Sequence, residues 1–143
     1  MALEPLLLAR LAEQLADLSP KVHVLGAVDL DGVTEEKQLT PAVHVVYQSY
    51  HVAEASSSGR MARVEQTWLA TVAVRNMKSP RTGTAARTDA GLIAGRVALA
   101  LMGFKPDMAS KPLRLVDGPG AGFSAGFMYL PLAFATELVL TAP

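Results

Sequence analysis

The chain has 143 residues, half of them apolar and 18% charged, with thirteen basic and thirteen acidic side chains and no cysteine. That length and apolar content suit one domain, spanning 1–143, and exclude wholesale disorder. The balanced charge lacks the basic excess of a nucleic-acid binder, and the missing thiols exclude disulfide scaffolds, thiolate zinc sites, iron–sulfur clusters and cysteine nucleophiles.

Residues 3–18 are expected to form a helix, because Leu3, Leu7, Leu11, Leu15 and Leu18 recur at three- and four-residue spacing. Pro5 falls in the first turn, where its missing N–H does no harm, and Pro20 stops the helix by disfavouring helical geometry at Ser19. Valine-rich residues 21–28 read as a strand, and the charged run 29–40, with Asp31-Gly32, as a loop ending at Pro41. In residues 42–50, Val43, Val45 and Tyr47 point one way and His44, Val46 and Gln48 the other, the alternation of a strand. The serine-rich stretch 53–59 is a flexible loop in composition. A second strand over 63–76 sets Trp68, Ala70, Val72 and Val74 against Thr67, Leu69, Thr71 and Arg75. Together the two strands suggest a long antiparallel hairpin projecting beyond the core. After a loop over 78–84, Thr84 or Thr88 can cap a second helix reaching about Met102, with Ala86, Ala90, Ile93, Val97 and Leu101 as its apolar line and Gly103 as its stop. A short strand over 113–116, a glycine-rich loop over 117–126 and a final strand over 127–140 complete the chain. The order α-β-β-β-α-β-β predicts an α+β fold, a mainly antiparallel sheet with two helices packed on it.

The charges are balanced overall but not along the chain: residues 1–59 sum to −5 and residues 60–96 to +5. If these segments lie on different faces, the subunit is a dipole suited to head-to-tail contacts; if they interleave, the charges cancel. The basic residues Arg60, Arg63, Arg75, Lys78, Arg81 and Arg87 lack interleaved aromatics and a recognised DNA-binding motif, so a docking surface or a solvated hairpin explains them better. Trp68 is expected in the core, with an interface anchor as the alternative.

Gly122-Phe123-Ser124-Ala125-Gly126 matches the G-x-S-x-G nucleophile elbow, but that motif needs a following helix and a downstream histidine, and all three histidines precede it. The glycines of the same loop lack the lysine and the helix that a phosphate loop requires. His23, His44 and His51 do not fall at helical spacing, and His44 and His51 point to opposite faces if one strand runs through both. Paired acids Glu35-Glu36 and Asp29/Asp31 lie in the charged loop. No catalytic, cofactor or metal residue is therefore assigned. The longest apolar stretch, 125–136, is too short to span a bilayer and contains Pro131, and the acid at Glu4 is unlike a signal peptide. A soluble protein without a membrane partner is expected.

The order of elements resembles the tail terminator (tail completion) proteins of long-tailed bacteriophages. The resemblance rests on the leucine-rich opening helix "LLLARLAEQLADL", "VHVLGAVDL", the strand "PAVHVVYQSY", and "VEQTWLATVAVRNM" with its single tryptophan. It continues in the alanine-rich "AGLIAGRVALALMGF" and the aromatic closing strand "FMYLPLAFATELVL". It implies a non-enzymatic structural protein of the virion, assembled in the host bacterial cytoplasm as a hexameric ring. Such a ring caps the tail tube protein, stops its polymerisation and meets the head-completion or connector protein at the neck, with DNA passing through its centre unread. Arg60, Arg63, Trp68, Arg75, Lys78 and Arg81 are the expected subunit or tube contacts. The alternatives are another neck, tail-completion or tube subunit, or a small-molecule-binding α+β domain or enzyme.

Overall fold

The computed structural model describes residues 3–75 and 82–143, with residues 82–88 described by their backbone. The first helix, α1 (Glu4–Gln14), buries Leu7 and Leu11, flanked by Leu3 and Leu15, all at most 3% exposed. A stripe of four buried leucines contributes roughly 1.5–3 kcal/mol apiece, which offsets the cost of ordering a helix this short. The helix is shorter than its periodicity implies: Leu15 leaves helical geometry, and Leu18 N–H turns back to the Leu15 carbonyl ahead of Pro20.

Strand β1 (His23–Leu25) is three residues long and pairs parallel to the start of β2 (Ala42–Ala55). It stops at Gly26, where an added Cβ would collide with the Glu4 carboxylate and approach Leu8 of α1. Segment 26–41 departs from the expected strand and loop. It holds a one-turn helix, α2 (Ala27–Leu30), whose Asp29 carboxylate accepts the Gly26 N–H, and a 3-10 turn over Glu35–Lys37. The acids in this segment satisfy backbone and side-chain donors and so create local structure that a polarity pattern does not register.

Strands β2 and β3 (Met61–Arg75) form the expected antiparallel hairpin, joined by a turn in which Gly59 N–H reaches the Ser56 carbonyl. The hairpin does not stand as two strands alone. The last strand, β6 (Phe127–Thr141), lies beside β3 along its whole length, from Arg75↔Phe127 to Met61↔Thr141. Helix α3 (Thr82–Leu101) ends as expected, with Gly103 at φ +80°, a left-handed stop that glycine adopts without strain. β4 (Arg114–Val116) and β5 (Gly122–Ser124) pair with successive parts of β6, so the glycine-rich stretch is partly strand. Ala125 and Gly126, both at positive φ, make the two-residue hairpin turn between β5 and β6.

The result is a six-stranded sheet in the order β1-β2-β3-β6-β4, with β5 also on β6, antiparallel except for β1–β2. Two helices, α1 and α3, cover one face, as expected from the apolar stripes, and α1, α3, β2, β3 and β6 share one core. Segment 26–41 lies against the opposite face at the end where β2 begins: Gln38 and Glu35 bond Tyr129, which alternates with the core-facing Met128 and Leu130.

Candidate assembly surfaces

The expected basic patch is divided. Arg60 and Arg63 lie at the hairpin end of β3 and Arg75 at its other end, twelve residues or about 40 Å of extended strand away. Lys78 and Arg81 fall outside the described residues. Arg63 is engaged within its own chain, its guanidinium 3.7 Å from Glu137 and 3.9 Å from Glu54. Glu137 is also approached by Lys111 at 3.5 Å and accepts a hydrogen bond from Ser110 Oγ, and Arg114 meets Glu65 at 2.7 Å. Arg75 stacks 4.6 Å above the Phe127 ring and donates to the Glu36 carbonyl. Trp68 is 5% exposed within the core, donating to Gln66 and packing edge-on against Tyr47, so the side chain offered to a neighbour here is the tyrosine.

Among the described residues the acid-rich and base-rich segments are not confined to separate faces. Glu54–Arg63 and Asp17–Arg96 join residues of the first segment to residues of the second. The Arg96 guanidinium hydrogen-bonds Asp17 and holds its carboxyl below the usual range. Antiparallel pairing of β2 with β3 folds one segment onto the other, so part of the charge cancels locally.

Ser124 sits between two strands rather than between a strand and a helix, and its hydroxyl donates to Glu35 at 3.0 Å. Tyr129 donates to the other carboxylate oxygen of Glu35 and accepts from Gln38 at 2.7 Å. Burial, together with the Glu35 carboxylate, raises the Tyr129 phenol above its ordinary pKa. This cluster clasps the 3-10 turn to the sheet. His44 and His51 lie on the same face, opposite Thr71 and Glu65 of β3, and not on opposite faces as strict alternation implied. A bulge at Gln48 inserts one residue and inverts the alternation as far as Val52, where a second irregularity before Glu54 restores it. Burial of His44 lowers its pKa, and among the described residues its Nε2 has no hydrogen-bond partner. Among the described residues no three acidic or histidine side chains gather to hold a metal.

Two surfaces absent from the sequence reading stand open. β1 covers only Ala42–His44, so among the described residues the outer edge of β2 beyond His44 has no strand partner, and Tyr50 and Val52 are 62% and 47% exposed there. On α3, Leu92 and Leu99 are 69% and 75% exposed, beside Gly91 and Gly95, where an added Cβ would meet nothing. The signal for the second was present: α3 is apolar nearly all round, a pattern of helices covered on more than one side.

Residues 1–142 match the family described as "Phage tail terminator protein". The chain also shares its fold with a solved chain from the structure titled "Virion of native gene transfer agent (GTA) particle", with 17% identity and a TM-score of 0.52 over 92% of this chain and 93% of that one. No curated protein matches significantly.

Proposed function

The chain belongs to the phage tail terminator family, and we propose that it assembles into a hexameric ring that caps the tail tube, stops its polymerisation and joins the tail to the head–neck complex. The observation that carries this reading is the family match over residues 1–142. Physical support comes from the open surfaces: a bare strand edge and an exposed apolar helix stripe are areas that a lone subunit leaves wet and assembly covers. A ring needs two different patches that meet heterologously and close by rotation, and the subunit offers distinct surfaces on its edges and on its helical layer. In this reading Arg60 and Arg63 at the hairpin end and Arg75 at the other end, together with Lys78 and Arg81, contribute to subunit or tube contacts, with Trp68 supporting Tyr47 from within. The head-completion or connector protein occupies the far side, DNA passes through without sequence-specific contact, and no catalytic step or cofactor is involved. The location is the neck end of the virion tail, after assembly in the host cytoplasm.

Light scattering with and without purified tail tubes tests this. A discrete species of six 15.1 kDa chains, about 91 kDa, or a monomer that stably caps tubes, is the expected result. A monomer indifferent to tubes overturns the reading and favours a small-molecule-binding domain, whereas open-ended filaments favour a tube subunit.

A further inference from the structure

The hairpin end of the sheet is three strands wide, β2-β3-β6, and both of its outer edges are bare among the described residues. On the β2 side nothing pairs beyond His44. On the β6 side β4 reaches only Ala135, and Ser110 N–H bonds the Glu137 carbonyl, so residues 138–141 have β3 as their sole strand neighbour. The two bare edges lie at the same height. Val52 aligns through Val64 with Leu138, Glu54 through Arg63 with Val139, and Ala55 through Ala62 with Leu140.

A bare edge is a row of unpaired N–H and C=O groups whose natural occupant is another strand, and soluble proteins usually protect such edges with lysine or proline. Residues 42–59 contain no lysine, arginine or proline, and Glu54 is their one charged side chain apart from the histidines. On the opposite edge Lys111 lies 3.5 Å from Glu137 and Arg114 2.7 Å from Glu65, and Lys111 is held beside the bare end of β6 by the Thr136 bond to its carbonyl. The edges therefore complement each other in backbone chemistry and height.

Resting on the ring reading above, we infer that residues 49–55 of β2 add as a strand to residues 138–141 of β6 in a second copy of this chain, so that the sheet continues from subunit to subunit. Both strands run antiparallel to β3 and hence in the same direction. A rotation that preserves strand direction joins them as a parallel pair. Because the two edges differ, each copy uses both, and the contact propagates around a ring rather than ending at a dimer.

The chain has no cysteine, so introduced pairs report cleanly. Glu54→Cys with Val139→Cys, and Glu54→Cys with Thr141→Cys to allow a two-residue stagger, place thiols on one face of the two edges. Within one copy these sites are two strand spacings apart, about 10 Å, beyond the roughly 7 Å Cα separation that a disulfide tolerates. Oxidation of the assembled ring is expected to give a covalent ladder of dimer, trimer and higher species from a double variant, and monomer from each single variant. Val52→Lys, at an exposed position, is expected to abolish ring assembly while leaving the unfolding temperature of the subunit unchanged. Dimers from Glu54→Cys alone, a ring of normal mass without a ladder from either pair, or full assembly of Val52→Lys overturns the inference and leaves the ring reading standing. Failure of the unmodified chain both to form a ring and to cap tubes removes the ring reading and this inference with it.

Discussion

His44 lies on the sheet face away from α1 and α3, flanked in register by Leu25 and Thr71, and its depressed pKa comes from burial. The neutral imidazole is favoured in the folded chain, while the unfolded chain takes up a proton near pH 6.5. Stability is therefore intact above that value and falls as pH drops through it, because the unfolded state then binds more protons. Urea unfolding of His44→Asn between pH 5 and 8 is expected to show a flatter acid limb than the parent protein; an identical limb shows that His44 does not contribute. Ser124 is a second case in which chemistry depends on neighbours. Its Gly-x-Ser-x-Gly frame implies a nucleophile, but its hydroxyl is a donor to Glu35. Ser124→Ala is expected to cost about 0.5–1.5 kcal/mol and to speed hydrogen exchange in residues 26–41, with tube capping unchanged. Loss of capping without change in exchange contradicts that role. The Glu35–Ser124 contact spans 89 residues, and no local pattern announces it.

The elements built on uninterrupted apolar periodicity were readable. α1 follows its leucine stripe, β3 its alternation around Trp68, and α3 ends at Gly103. Those that depend on single polar contacts were not: α2 exists through the Asp29–Gly26 bond, and the bulge in β2 reverses the side of Ser49 to Val52 until a second irregularity before Glu54 restores it. β5 was hidden because its pairing comes from β6 and a two-residue turn rather than from a hydrophobic run of its own. Gly91 and Gly95 lower the helix propensity of α3, and among the described residues nothing lies where their side chains would be. Gly91→Ala with Gly95→Ala is expected to stabilise the isolated chain by about 1–2 kcal/mol, measured by thermal unfolding. No gain in the unfolding temperature would show that the glycines meet a need the free subunit already has.

Assembly draws on how the charges and open surfaces are disposed together. Among the described residues, opposed segments of the chain pair through Glu54–Arg63 and Asp17–Arg96, which interleaves part of the acidic and basic charge. Exposed ion pairs of this kind contribute little to stability, typically below about 1 kcal/mol, and remain available to exchange partners on assembly. Reversal of charge at Arg75 together with Arg81 is expected to weaken ring formation or tube capping, read by light scattering and tube binding at two salt concentrations. Unaltered assembly would remove these residues from the contact surface.

Helix and strand periodicity, the absence of cysteine and the family resemblance follow from residue order alone, because they depend on neighbours a few positions apart or on the pattern of the whole chain. Which edges are bare, that Trp68 is buried beneath a partly exposed Tyr47 on the same sheet face, and that Arg63 and Arg75 lie at opposite ends of one strand depend on contacts between residues far apart in sequence. Such contacts are set by register, bulges and the order of strands in the sheet, and a shift of one residue in any of them moves a side chain from one face to the other.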